Sequence, residues 1–157
     1  MKIETWFVGK TAFDYLNEGC AIYAKRLSHY NPFEVVILPD VKNPRHLTTE
    51  QICEQEGAAI LRRLTPDDCL ILLDERGAAM TSPEFSVFLE KRLGQSARRL
   101  VFLVGGAYGF SDAVYARANT QISLSRLTFS HQMVRLFLLE QLYRAFSISN
   151  NEPYHHA

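Results

Sequence analysis

Hydrophobic positions change their period along the chain, and each change marks an element. Lys2–Val8 (KIETWFV) begins in alternation and ends apolar, which predicts a strand. Over residues 12–30, Phe13, Leu16, Cys20, Tyr23 and Leu27 recur every three or four positions, one stripe of a helix. Phe33–Leu38 (FEVVIL) is rich in branched residues and closed by Pro39, a second strand. Residues 41–47, with Lys42, Asn43, Pro44, Arg45 and His46, read as a polar loop. A helix over about 49–64 brings Ile52, Glu56, Ala59, Ile60 and Arg63 near one stripe. Residues 69–74 (CLILLD) form a short unbroken apolar run, as in a strand covered on both faces. Ser82 then reads as an N-cap, with Pro83 at the first helical position and Glu84 in the first turn of a helix ending at Gly94. Arg99–Val104 (RLVFLV) is another apolar strand, broken by Gly105 and Gly106. Ser111 and Asp112 cap a short helix to about Asn119, residues 121–124 make a last strand, and 131–148 make a long helix before a polar tail.

Strands and helices therefore alternate five times. That order predicts one α/β domain over residues 1–157, a mostly parallel sheet with helices on both faces, because parallel strands need crossovers. The last helix adds something. Met133, Val134, Leu136, Phe137, Leu138, Leu139, Leu142, Tyr143, Ala145 and Phe146 point in nearly every direction around it. A helix apolar all round must be covered all round, so a homodimer built on this helix is expected, with loops of the same chain as the alternative cover.

Composition narrows the function. The 157 residues are 47% apolar and 22% charged, an ordinary globular mixture. Lys plus Arg number 17 and Asp plus Glu number 17, a formal net charge of zero. A free-standing binder of naked nucleic acid carries a basic excess, so that class is disfavoured, while an enzyme that reads a large RNA–protein surface by shape is not. The opening MKIETWFVGK does not read as a signal peptide, and no apolar run approaches the roughly 20 residues of a membrane helix. Cys20, Cys53 and Cys69 are widely spaced, which argues for reduced thiols in a cytoplasmic protein without disulfide or zinc.

Ligands of open α/β sheets bind beyond the C-terminal ends of the strands. Three segments leave such ends, residues 74–81, 105–111 and 125–130. Glycines at 105, 106 and 109 let a backbone approach a ligand closely. Their spacing is not the dinucleotide fingerprint, and no P-loop is present. By itself the glycine turn fits a tight turn or a phosphate site. His131 reads as a base or as a capping and packing residue. Glu140 and Arg144 stand four apart on the last helix and, with Arg135, must be paired or functional if buried.

Taken together, residues 103–111 (LVGGAYGFS), 124–129 (LSRLTF), 131–147 (HQMVRLFLLEQLYRAFS) and 151–155 (NEPYH) resemble the bacterial ribosomal RNA large subunit methyltransferase H family. Val8-Gly9-Lys10 and the Leu72–Gly77 stretch match it too, so the resemblance covers essentially the whole chain. It implies a SPOUT fold with a C-terminal trefoil knot, a homodimer, and S-adenosyl-L-methionine as methyl donor with no metal. The substrate implied is N3 of a pseudouridine in 23S rRNA of the assembled ribosome. Leu73, Gly105, Leu124, Ser125, Arg126, Leu127, Thr128 and Phe129 should line the donor pocket. Tyr154 and His155 are implied at the target base, Tyr154 to stack and His155 to assist proton removal; Arg135 and Arg144 are implied RNA contacts. The family commonly ends Tyr-His-Lys or Tyr-His-Arg, whereas this chain has His156 and Ala157. Two rival readings are a flavodoxin-like nucleotide or flavin binder and a non-catalytic dimer that docks on the ribosome.

Overall fold

The computed structural model describes residues 1–156. In chain order the elements are β1 (Lys2–Val8), α1 (Asp14–Ser28), β2 (Phe33–Leu38), a 3-10 turn (Pro44–His46), α2 (Thr49–Arg63), β3 (Asp68–Ala79), α3 (Ser82–Leu93), β4 (Arg99–Val104), α4 (Asp112–Arg117), β5 (Thr120–Ser123) and α5 (Met133–Ser149). The strands form one sheet in the order β2-β1-β4-β3-β5, and every pairing is parallel. The expected α/β architecture is what the chain adopts. The order differs from the 2-1-3-4-5 of flavodoxin-like folds.

Strand parity sorts the core into two layers. Ile3, Phe7, Ile71, Leu100 and Phe102 face α1, α3 and α5, and pack with Leu16-side residues Cys20 and Leu27, with Phe85 and Leu89, and with Leu138, Leu139 and Leu142. Trp6, Val8, Leu70, Leu72, Val101 and Leu103 face the other way, onto Ile60 of α2 and Val114 of α4. Both faces of β4 are dry, as its unbroken apolar run requires. α5 lies against α1 and α3, which bury Leu138, Leu139, Leu142 and Ala145. At Gly19 an added Cβ would lie 2.9 Å from Leu136, so glycine is what lets α1 approach α5. The rest of the α5 circumference is partly open, with Phe137 37% exposed.

Two boundaries differ from expectation. Residues 74–79, expected in a loop, continue β3: after a bulge, Leu73 and Ala78 both pair with Ile122. The strand returns to its partner because Gly77 lies against the Ile122 backbone, where a Cβ would come within 2.7 Å. The cap of α3 is Thr81 rather than Ser82. Its hydroxyl accepts from the Glu84 amide at 3.2 Å, and the Glu84 carboxylate accepts from the Thr81 amide at 3.0 Å, a reciprocal box that Ser82 lies inside. Ser111 does cap α4, accepting from Val114 at 3.3 Å.

At the N-terminal edge of the sheet, Arg99 donates to Asp68 at 2.8 and 3.0 Å, to Glu4 at 3.1 and 3.2 Å, and to the Arg63 carbonyl at 2.8 Å. Its guanidinium stacks 5.2 Å from the Trp6 ring, whose N–H donates to Glu4 at 2.8 Å. Burial pushes both carboxyls up, but hydrogen bonds from Arg99, joined by Trp6 at Glu4 and Thr65 at Asp68, and its positive charge leave them below their ordinary values.

Candidate active site

Beyond the C-terminal ends of β3, β4 and β5 the three predicted segments close around one cleft of about 730 Å³. Seven of the eight expected residues line it: Leu73, Gly105, Leu124, Ser125, Leu127, Thr128 and Phe129. Arg126 is the exception, exposed and outside the lining. β3 delivers Leu73, and β4 delivers Gly105, so the walls are fixed by parallel neighbours in register, Leu73 beside Val104.

Gly105 has a definite steric role. A Cβ there would stand 2.9 Å from the Phe110 ring, so glycine lets that ring fold back over the turn. Gly109 adopts φ 81°, the left-handed region that glycine enters without strain. In the third wall, the Leu127 amide donates to the Ser125 hydroxyl at 2.9 Å, and the Ser123 hydroxyl donates to the Ser125 carbonyl at 2.6 Å. These short-range bonds hold Leu127 at the lip, 72% exposed. The Thr128 hydroxyl donates to Glu75 at 3.0 Å and ties the third wall to the first.

Lining residues that the sequence leaves in separate segments are joined by contacts it does not signal. Asp74 accepts from the Tyr115 hydroxyl and from the Arg76 amide at 2.8 Å, and Arg76 donates to Tyr115 at 2.6 Å while stacking 5.1 Å from its ring. Burial raises the Asp74 carboxyl, yet the donors from Tyr115 and Arg76 hold it below its ordinary value. Burial first, then the bond to Asp74, pushes the Tyr115 hydroxyl up. Tyr115 lies on a short helix 41 residues from Asp74, so only the fold joins them. His131 also lines the cleft, before the first turn of α5, and Ser130 rather than His131 accepts from the Met133 amide, at 3.0 Å. Burial and the Arg135 charge hold the His131 imidazole below its usual value, with Asp40 opposing.

Arg135 is not placed to meet RNA. It is 0% exposed and donates to the carbonyls of Val8 at 2.7 Å, Gly9 at 2.8 Å and His131 at 3.2 Å, and to the Thr11 hydroxyl at 3.0 Å. The Phe7 ring lies 5.1 Å from its guanidinium. It binds the end of β1 to the start of α5, and burial draws its pKa down.

Tyr154 and His155 lie elsewhere, in the tail after α5, packed back against its Glu140, Tyr143 and Arg144, and neither lines the cleft of its own chain. The Tyr154 hydroxyl donates to Glu140 at 3.0 Å and meets the Tyr23 hydroxyl at 2.8 Å; its ring packs edge-on against Tyr143 at 4.7 Å. Arg144 pairs with Glu140 at 2.5 Å, stacks 4.8 Å from Tyr154 and contacts His155 Nδ1 at 3.0 Å. Because Arg144 has only donors, Nδ1 is the acceptor in this contact, and Nε2 is buried without a partner among the described residues. Burial, then the bonds to Tyr23 and Glu140, push the Tyr154 hydroxyl far above its ordinary value.

A second hollow of about 770 Å³ lies behind the glycine turn between α2 and α4, and no predicted residue lines it except through that turn's neighbours Tyr108 and Phe110. Among the described residues no three His, Cys, Asp or Glu side chains gather as metal ligands, and no helix is long and apolar enough to cross a membrane.

A parallel sheet whose cleft is gathered from the ends of β3, β4 and β5, with Val134 of α5 also lining it, defines an α/β ligand-binding domain. Residues 1–155 match the family described as "Predicted SPOUT methyltransferase". The chain belongs to the SPOUT methyltransferase family and groups there with proteins named ribosomal RNA large subunit methyltransferase H. It is 53% identical to that protein of Parabacteroides distasonis, over 99% of both chains. With the one of Cytophaga hutchinsonii it shares 54% identity, over 99% of this chain and 100% of the relative. Among solved structures, it aligns with a probable methylase family protein from Haemophilus influenzae at TM-score 0.49 and 15% identity, covering 95% of this chain and 66% of the other.

Proposed function

We propose that this protein transfers a methyl group from S-adenosylmethionine to N3 of a pseudouridine in 23S rRNA, acting in the cytoplasm on the assembled ribosome. The observation that carries the reading is the convergence of three walls, from residues 73–76, 104–110 and 123–131, on one cleft. Its size lies within the range of small-molecule sites, roughly 300–1,000 Å³. Its donor set also fits: backbone amides and carbonyls of the β4 and β5 turns suit an adenine edge, and Leu124, Leu127 and Phe129 suit its faces. The relatives' shared name supports the RNA substrate.

When bound, S-adenosylmethionine supplies an electrophilic methyl carbon that leaves its sulfonium sulfur as a neutral thioether. The protein's work is to hold that carbon in line with N3 and to exclude water, which converts a bimolecular encounter into an oriented one. It must also move the N3 proton. Tyr154 serves to stack on the base through its ring, and its hydroxyl, held protonated by burial and by its bonds to Tyr23 and Glu140, is not the base. His155 serves in proton removal, which requires release of the Arg144 contact at Nδ1. Because neither residue lines the cleft of its own chain, the reading needs a homodimer through α5, with the tail of one subunit at the cleft of the other. Arg144 is then the RNA-side arginine, and the C-terminal segment is expected to be threaded as a trefoil knot.

The test is transfer of tritiated methyl to intact ribosomes and to free large subunits from a strain lacking the protein. Label in 23S rRNA of intact ribosomes is expected, and no label in either substrate would end the proposal. Binding of S-adenosylhomocysteine by calorimetry separates the donor site from the RNA step.

A further inference from the structure

At the same edge of the sheet as the cleft, the segment after β2 holds an unusual run of unused positive charge. Lys42, Arg45 and His46 are exposed, and with Lys10 after β1 they form a group whose side chains make no hydrogen bond or ion pair among the described residues. Of the other arginines near this edge, Arg76 is engaged by Asp74 and Tyr115 and Arg135 by carbonyls, while Arg126 is exposed beside the cleft. One acid, Asp40, stands within the segment.

The run is held in place by backbone chemistry. Asn43 takes φ 54°, a left-handed turn that asparagine tolerates, and Pro44 then starts the 3-10 turn, closed by the Leu47 amide on the Pro44 carbonyl at 3.1 Å. The Gly9 amide donates to the Leu38 carbonyl at 2.7 Å and joins the two strand ends. On the other side, Gln132 clasps the Lys10 segment, donating to the Lys10 carbonyl at 3.1 Å and accepting from the Ala12 amide at 2.8 Å. Gln132 follows His131, which lines the cleft. β2 lies two strands from β4, about 10 Å at the usual strand spacing, so the segment that carries the cations starts from the same edge as the turn at Gly105.

We infer that Lys42 and Arg45, assisted by Lys10 and His46, form a ridge that binds RNA phosphates flanking the methylated nucleotide. This rests on the RNA substrate proposed above and adds the surface that would hold it. A net charge of zero then reflects segregation rather than absence of a basic face: the opposing edge uses its charge internally, in the Arg99 cluster. Contacts of this kind position the enzyme without reading sequence, which suits a protein whose specificity comes from the cleft and from RNA shape.

The test is equilibrium binding of the full chain to intact ribosomes at about 50 and about 200 mM salt, comparing wild type with the double variant Lys42→Gln/Arg45→Gln. The control is Lys91→Gln/Arg98→Gln, the same charge change on exposed residues at the opposite edge. Two lost phosphate contacts should make the affinity loss over that salt range about tenfold smaller than in wild type. The control should behave as wild type, and calorimetric binding of S-adenosylhomocysteine should be unchanged in all three. If the ridge variant binds intact ribosomes with wild-type affinity and salt slope, or the control loses as much, the ridge is refuted. If the wild type does not bind intact ribosomes at all, the RNA reading itself falls, and the ridge with it.

Discussion

The two edges of the sheet handle buried charge in opposite ways. At the N-terminal edge Arg99 is met by two carboxylates, and the cluster closes on itself under Trp6. At the C-terminal edge Arg135, more deeply buried, is met only by carbonyls and one hydroxyl among the described residues, and the neighbouring strand ends stay open around a cleft. A charge neutralised by charges makes a sealed joint. A charge neutralised by strand-end carbonyls pins a helix start while leaving amides and glycine turns free for a ligand. The difference explains why one fold supports a stable base and an adaptable top.

The largest expected effect is at the open edge. Gly105→Trp places a ring where Phe110 and the cleft already leave only 2.9 Å for a Cβ. S-adenosylhomocysteine binding should fall by roughly 100-fold or more in calorimetry, with the melting curve checking that the fold survives. At the sealed edge, Arg99→Met strands Glu4 and Asp68 without their cation. A loss of about 3 kcal/mol is expected in urea unfolding at neutral pH. Arg135→Met leaves four acceptors unmet but no charge, so a smaller loss of about 2 kcal/mol should appear in the same measurement.

Acid sharpens the contrast further. Glu4 and Asp68 lie below their ordinary values of 4.5 and 3.8 in the folded protein. Their share of stability is therefore complete above about pH 5 and is lost as pH falls through the folded values. Wild-type stability should decline over that window, and the Arg99→Met deficit should shrink with it, since protonated carboxyls no longer need the cation. The Arg135→Met deficit should shrink less, and only through the His131 imidazole that the Arg135 charge holds down, and a deficit that shrank equally would show that the two edges are not electrostatically distinct.

Much of the site could be read from local order. Gly105 is visible because an apolar strand stops there, and residues 124–129 because they follow the last strand and match a family motif. The Asp74–Tyr115–Arg76 cluster was not readable, since its members sit on two elements whose adjacency depends on β3 lying next to β5. Which of its two readings Arg135 follows, paired or functional, is hidden from the sequence for a related reason. Its sequence neighbours show a charge on an apolar helix, but the partners that bury it come from residues 8–11, about 125 positions away.

The order of strands and helices, the two apolar faces of β3 and β4, and the capping of α4 follow from the chain's own periodicity. Those features depend on residues within a few positions of each other, where side-chain spacing and backbone bonding decide. The bulge that carries β3 past Gly77, the choice of Thr81 as cap, and the partners of Arg99, Arg135 and Tyr154 came only with the tertiary structure. Each of these depends on which distant backbone or side chain comes within hydrogen-bonding range, and a linear pattern carries no record of that distance.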